Sequence, residues 1–257
     1  MIIKYIKCKT GLSYSKLPGL DYSLNPYVGC QHKCAYCYAP NVLKIDREEW
    51  CSNIGVKYNI PIILSNELKK KKNGTIGIST VTDPYQPIDK KYKLTRYCLE
   101  QLLIHDMPIC VQTKSSLIVR DIDLISKFSD AEVMVSIGTI NDSERKMLEP
   151  GSSSINDRLD ALKEYSDIGV KTSIFFGPIY PTIKTEDIAD IIDTFAETGA
   201  KEIMVDKFNL KPGVGQALEE KMPGCMNNIN NKDNFNEIYY KIIQLSENKN
   251  IEISLAF

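Results

Sequence analysis

The sequence contains no apolar run approaching the roughly 18 residues that a membrane-crossing helix needs, which argues against a transmembrane role. It has no excess of either charge. With 32 basic and 33 acidic residues the formal net charge is −1, so there is no overall electrostatic footprint for nucleic acid, and only a local basic groove remains open. The first residues, Met1-Ile2-Ile3-Lys4-Tyr5-Ile6-Lys7-Cys8, interleave lysines with apolar side chains and lack the long apolar core of a secretion signal; a cytoplasmic protein is expected. There is also no second close pair of cysteines to match the single cluster, whereas zinc sites commonly use two Cys-x2-Cys pairs or one pair with two spaced histidines.

What is present suffices for a sizeable core: 257 residues, 43% hydrophobic and 25% charged, with no internal repeat, low-complexity tract or linker. A single domain over 1–257 is expected. From residue 60 onward, helical stripes alternate with short apolar, β-rich runs. Strands are predicted over 22–28, 75–80, 109–113, 132–138, 171–177 and 201–205. Between them, Leu94, Cys98 and Leu102 mark one helix, Ile118, Ile122 and Ile125 a second, and Ile155, Leu159 and Leu162 a third. Ile188, Ile191, Ile192 and Phe195 mark a fourth, with Thr185 as N-cap and Gly199 as stop. Lys69 to Lys72 read as the solvated end of the helix over 64–72.

Six strand-helix units predict an α/β protein with a parallel sheet, curved into an open partial (β/α)6 TIM-type barrel, with its core at about 20–205. A short C-terminal helix-strand extension follows over about 206–257. It comprises a Gly/Pro/Asn-rich stretch (211–234), a helix bearing Phe235, Ile238, Tyr239 and Ile242, and a final strand over 251–257.

Three of the eight cysteines, Cys30, Cys34 and Cys37, fall within "NPYVGCQHKCAYCYAP" in the spacing Cys-x3-Cys-x2-Cys. They directly follow the first predicted strand, at the barrel end where βα loops build active sites. Three close thiolates can hold three irons of a [4Fe-4S] cluster and leave the fourth iron for a non-protein ligand. The alternative is a zinc site completed by His32 or a distant cysteine, although His32 is expected to be exposed. Cys98 and Cys110 lie on apolar faces and are expected in the core, while Cys8 and Cys51 carry no readable pattern. Cys225, in "KMPGCMNN", sits in a predicted loop that can cover the barrel mouth, where a thiol can supply a hydrogen atom or an extra ligand.

The cysteine spacing with an aromatic residue before the last cysteine resembles the signature of the radical S-adenosylmethionine (SAM) superfamily. Together with "TVTDPYQPIDKKYKLTR", "QTKSSLIVRDIDLI", "VSIGT", "LEPGSSSINDRLDAL" and "FFGPIYP", it is similar to the spore photoproduct lyase-like, or DNA repair photolyase, branch over about residues 20–205. The resemblance implies a [4Fe-4S] cluster on Cys30, Cys34 and Cys37 and SAM on the open iron. Reductive cleavage then yields methionine and a 5′-deoxyadenosyl radical that abstracts substrate hydrogen, the electron coming from an external donor such as a flavodoxin or ferredoxin.

The resemblance also implies that Tyr36 and Tyr38 lie by the cofactor, that Lys114 pairs with the SAM carboxylate, and that Ser136 and Thr82 contact SAM. Glu149 and Arg158 would either steer SAM or brace the barrel rim. Two departures stand out. Where the lyase has a hydrogen-donating cysteine, this chain has Thr80, whose O–H bond is too strong for that role, and the last fifty or so residues do not match the lyase's DNA-binding part. The leading expectation is therefore a radical SAM enzyme whose substrate the sequence does not name. Three alternatives remain: repair of a DNA pyrimidine lesion, transfer of the 3-amino-3-carboxypropyl group of SAM, and a non-catalytic metal- or cluster-binding protein.

Overall fold

Short apolar runs bounded by Gly, Pro and Asn form strands in the computed structural model, which describes residues 1–256. In chain order these are β1 (Ile2–Tyr5), β2 (Leu12–Tyr14), β3 (Tyr22–Leu24), β4 (Tyr27–Val28), β5 (Asn53–Val56) and β6 (Ile76–Ile78). There follow β7 (Ile109–Thr113), β8 (Ala131–Ser136), β9 (Lys171–Phe176), β10 (Glu202–Val205) and β11 (Glu252–Leu255). The main sheet has the order β11-β10-β9-β8-β7-β6-β3-β2. All its pairs are parallel except β2–β3, which is antiparallel.

The parallel strands follow one another in chain order with no reversal. Right-handed crossovers therefore put all the helices on one side and curl the sheet, as in a barrel rather than a doubly wound fold. Because β2 and β11 are its two edges, the barrel stays open. The expected partial (β/α)6 barrel is the observed architecture, and β11 extends it by a seventh parallel strand; Phe257, the end of the predicted final strand, lies outside the described residues. Among the described residues, no helix is long and apolar enough to cross a membrane.

Burial follows the stripes read from the sequence. Cys98, Leu99 and Leu102 of the helix Leu94–Ile104, Ile155, Ala161 and Leu162 of Ile155–Asp167, and Ile191, Ile192 and Phe195 of Ile188–Ala196 all lie in the core. They pack on strand residues such as Ile78, Val111, Val133, Ile174 and Ile203. Each such side chain gains about 1.5–3 kcal/mol over its exposed state.

Several expectations need correction. The predicted first strand over 22–28 is two strands in two sheets. β3 pairs with β6, whereas β4 pairs antiparallel with β5, and β5 with β1, in a separate three-stranded sheet. The break is at Asn25-Pro26: Pro26 has no N–H for a ladder, and the Asn25 side chain accepts from the Thr80 and Val81 amides at 3.2 and 3.3 Å. The lysine run follows the helix Ile60–Leu68 rather than ending it, and Lys71 is not simply solvated, since its ammonium stands 4.4 Å from the Tyr14 ring centroid. Thr185 opens a 3-10 turn, and Asp187 precedes the α-helix.

The expected loop over 211–234 contains the helices Val214–Lys221 and Cys225–Asn230, each entered through a glycine of positive φ, and the start of the helix Lys232–Ser246. Val214 and Leu218, four apart and both buried, were the legible sign of the first of these. Cys110 is half-buried on the face of β7 opposite Ile109 and Val111, beside Glu132 across the β7–β8 register, so it is not a plain core residue.

Gly29, which joins β4 to the first cysteine, has φ +84°, and a Cβ there would stand 2.5 Å from the Asn53 carbonyl oxygen and 2.8 Å from that of Trp50. Gly29→Ala should destabilise the protein by about 1–3 kcal/mol in urea unfolding.

Candidate active site

The loop carrying the three cysteines follows β4 and is held mainly through its backbone. The Cys30 amide donates to the Trp50 carbonyl at 3.1 Å, the Ala35 amide to the Leu148 carbonyl at 2.8 Å, and the Gly151 amide to the His32 carbonyl at 3.0 Å. The Arg47 guanidinium, on a helix over Arg47–Ser52 capped by the Asp46 carboxylate, donates to the carbonyls of Ala35 (3.2 Å) and Cys37 (2.9 Å). Thr82 and Gln86 share the Gly29 carbonyl, at 2.7 and 3.1 Å, while the Gln86 side-chain oxygen accepts from the Gln31 amide at 3.0 Å. Burial pushes up the thiol pKa of Cys30, Cys34 and Cys37, and each is also shifted by charges around it: Asp83 on Cys30, Glu149 on Cys34 and, in the opposite direction, Lys114 on Cys37.

Beneath the loop lies a buried network. The Arg158 guanidinium, with no solvent exposure, donates to Glu149 Oε2 (2.5 Å), the Ser136 carbonyl (2.8 Å), the Ser153 carbonyl (3.0 Å) and the Ser152 hydroxyl. Glu149 also accepts from the Tyr36 hydroxyl and, at 3.2 Å, from Ser152. Burial alone would raise the Glu149 pKa, but Arg158 and Lys114, with the Tyr36 hydrogen bond, outweigh it and hold the carboxyl at about 2. Tyr36 packs edge-on against Tyr180 and Phe208, and the Lys114 ammonium stands 5.8 Å from its ring centroid. Burial, and after it the Glu149 charge, raises the Tyr180 pKa, and its buried hydroxyl has no hydrogen-bond partner among the described residues.

Tyr36, Lys114, Ser136, Glu149 and Arg158 are thus brought around the cysteine loop. Ser136, at the C-terminal end of β8, accepts from Gln112 at 3.2 Å, which leaves its own O–H free to donate. Thr82 is buried and its hydroxyl is committed to Gly29. Tyr38 is 44% exposed and donates to the Thr80 carbonyl at 2.7 Å. Cys225 lies in a helix packed on the core, with its thiol 3.7 Å from Glu219 Oε2, rather than in a covering loop.

His32 is the clearest correction. Expected at the surface, it is 1% exposed because the Gly151 and Asp83 segments close over it, with Nδ1 3.4 Å from Asp83 Oδ2. Asp83 was missed as a functional residue: it accepts from the Thr113 hydroxyl (2.7 Å) and from the amides of Tyr85 (2.9 Å) and Lys114 (2.8 Å), tying the β6 loop to the β7 loop. Gln86 was missed too. Both lie in the motif "TVTDPYQP", whose run of polar residues among prolines was the available signal.

The family model described as the radical SAM superfamily matches residues 24–195. The chain belongs to the radical SAM superfamily. An uncharacterized protein of Methanocaldococcus jannaschii is 35% identical over 257 residues, 98% of this chain and 95% of that protein. A protein of Pseudomonas phage M6 named as a radical SAM Nalpha-GlyT isomerase is 30% identical over 183 residues, covering 70% of this chain and 38% of the phage protein. Among solved structures, spore photoproduct lyase complexed with dinucleoside spore photoproduct superposes with a TM-score of 0.76 over 99% of this chain and 82% of that one, at 16% identity. At that identity the likeness shows the fold alone.

Membership in the radical SAM superfamily implies SAM and a [4Fe-4S] cluster, and the donor set fits. Three thiols in one loop would take one iron each.

Glu149→Gln leaves the Arg158 charge buried without its partner and should cost about 3 kcal/mol in urea unfolding at pH 7. Because the folded carboxyl titrates at about 2, below its ordinary 4.5, its contribution is complete above pH 4.5 and is lost as the pH falls from there toward 2. The wild-type advantage over Glu149→Gln should shrink across that window.

Proposed function

We propose that this protein is a SAM-cleaving radical enzyme that holds a [4Fe-4S] cluster on Cys30, Cys34 and Cys37. The observation that carries the reading is the clamped cysteine loop itself, with the Lys114 ammonium over its Tyr36 ring and Ser136 tied to it through Arg158 and Glu149. When bound, the cluster and SAM supply one-electron cleavage of the S–C5′ bond, giving methionine and a 5′-deoxyadenosyl radical that takes hydrogen from the substrate.

The chain's own residues bind and orient. Lys114 supplies positive charge for the SAM carboxylate, Ser136 offers a hydrogen bond to the methionine end, and the tyrosines Tyr36 and Tyr38 flank the site. We assign Thr82, Glu149 and Arg158 to bracing, because their polar atoms are already committed to protein groups. Cys225 is not assigned the hydrogen return, because its thiol is taken up beside Glu219. An external donor of the flavodoxin or ferredoxin kind would supply the electron.

DNA-lesion repair is the narrower reading. The fold shared with spore photoproduct lyase favours it, and Thr80 in place of a hydrogen-donating cysteine counts against its known form. The name of the phage relative points instead to isomerisation, in which the abstracted hydrogen can return to the substrate without a protein thiol.

Protein reconstituted anaerobically should carry about four irons and no zinc, and with dithionite and SAM should form 5′-deoxyadenosine. Cys34→Ala should abolish that product. An intact wild-type cluster without SAM cleavage would sink the reading, and methylthioadenosine as the product would replace it with 3-amino-3-carboxypropyl transfer. Lys114→Ala should weaken SAM binding by about tenfold or more, as expected for loss of a charged hydrogen bond, with the iron content unchanged. Lesion-bearing oligonucleotides that fail to stimulate turnover would remove DNA as substrate.

A further inference from the structure

Gln31, the residue after Cys30, ties the cysteine loop to two surface elements. Its side-chain oxygen accepts from the Ile88 amide at 2.5 Å and its backbone amide donates to the Gln86 side chain at 3.0 Å, so the helix Asp89–Tyr92 starts against the loop. Its side-chain amide donates to the Met1 sulfur at 2.9 Å, which brings β1 to the same place. Tyr5 of β1 and Tyr92 of the helix then join the two, with hydroxyls 2.8 Å apart and rings edge-on at 6.0 Å between centroids.

This patch is apolar and basic together. Met1, Ile2 and Tyr5 are 74%, 58% and 65% exposed. Lys90, Lys91 and Lys93 are exposed as well, and so is Lys33 of the cysteine loop itself. The lysine ion pairs among the described residues lie elsewhere, at Lys146, Lys171, Lys184 and Lys249, so these four charges are left for a partner. A cavity of about 340 Å³ opens beside Lys90; its wall includes His32, which lies between Cys30 and Cys34, and no carboxylate lines it. Past Cys37, by contrast, the groove of about 560 Å³ mixes both signs, Lys44 and Arg47 with Asp46, Glu48 and Glu220. Exposed apolar side chains beside unpaired charge of one sign mark a docking face, and the charge steers in a partner of the opposite sign.

We propose that this patch is where a small acidic electron carrier, of the flavodoxin or ferredoxin kind, docks to reduce the cluster. The inference rests on the proposed cluster assignment and adds the site of its partner. SAM and substrate would occupy the barrel side of the loop, with Lys114 and Ser136, so the carrier has to approach from outside. Its carboxylates pair with Lys90, Lys91 and Lys93, its apolar surface covers Met1, Ile2 and Tyr5, and its redox group stands over the cavity walled by His32. One electron leaves the carrier and enters the cluster, and no proton or group moves with it. A nucleic acid would also answer the lysines, but it has no use for the exposed apolar side chains among them, which favours the protein carrier. Redox encounters of this sort bury little area, so charge sets their rate.

The test starts from binding. Oxidised flavodoxin and oxidised ferredoxin are titrated separately into the reconstituted full-length protein, and each mixture is treated with a carbodiimide, which joins a carrier carboxylate to a lysine it touches. At least one carrier should bind, more weakly as salt rises, with cross-links at Lys90, Lys91 or Lys93. The triple variant Lys90→Glu/Lys91→Glu/Lys93→Glu should weaken that binding and slow reduction of the cluster by the same carrier by about tenfold or more. Its iron content and its 5′-deoxyadenosine yield with dithionite should match the wild type. Ile2→Glu, on the β1 side, should act in the same direction, and it decides the matter if the triple variant assembles no cluster. Carrier rates that change by less than about twofold in a variant with an intact cluster overturn the inference and leave the cluster assignment standing. Cross-links confined to other lysines do the same, as does failure of both carriers to reduce a wild-type cluster that dithionite reduces. A triple variant that loses oligonucleotide binding while keeping its carrier rate would make the face a nucleic-acid surface instead. A wild-type protein that assembles no four-iron cluster overturns both the inference and the assignment.

Discussion

The buried pair of Arg158 and Glu149 is the contact on which the rest of the site depends. One guanidinium joins the C-terminal end of β8 through the Ser136 carbonyl, the turn before its own helix through Ser152 and Ser153, and the cysteine loop through Glu149 and Tyr36. A charge taken wholly out of water is tolerated only where its hydrogen-bonding capacity is met, and here it is met by groups from separate parts of the barrel. The pair therefore acts less as a source of net stability than as a constraint on geometry. If β8 and the cysteine loop shift relative to each other, a buried charge loses its acceptors.

Around that brace the cysteine loop is held as a ring of peptide contacts. Trp50, Leu148, Gln86, Thr82, Arg47 and Gly151 each bond to a backbone group of residues 29 to 37. Such a loop presents its three thiols from a fixed frame, and less ordering entropy then remains to be lost on binding a ligand there. It also explains the burial of His32. The imidazole lies between the Asp83 and Gly151 segments, its Nδ1 3.4 Å from Asp83 Oδ2.

Much of the barrel was legible along the chain because burial repeats with a period. The strands over 109–113, 132–138, 171–177 and 201–205 and the helices carrying Leu94 to Leu102 and Ile188 to Phe195 sit close to where their stripes placed them. Parallel strands buried on both faces read as continuous apolar runs, so little else competes for those segments. The errors fall where local pattern and long-range contact disagree. Asn25-Pro26 divides one β-rich run between two sheets because the Asn25 side chain answers amides fifty-five residues away. His32 and Asp83 are polar residues in loop-like sequence, and only the approach of three loops buries them.

By itself the sequence determined the class of chemistry and the architecture. The spacing of Cys30, Cys34 and Cys37 is a local property, and so is the alternation that builds a parallel sheet in chain order. Which polar residues touch which was decided only by the tertiary structure. Glu149 and Arg158 were compatible with two roles on the page of the sequence, and the structure shows them wholly buried and hydrogen-bonded to each other and to the β8 end. The indole of Trp50 gave no signal at all along the chain. Its burial follows from how a six-residue helix docks on the cysteine loop, through the Trp50 carbonyl on the Cys30 amide and the Arg47 guanidinium on the Ala35 and Cys37 carbonyls.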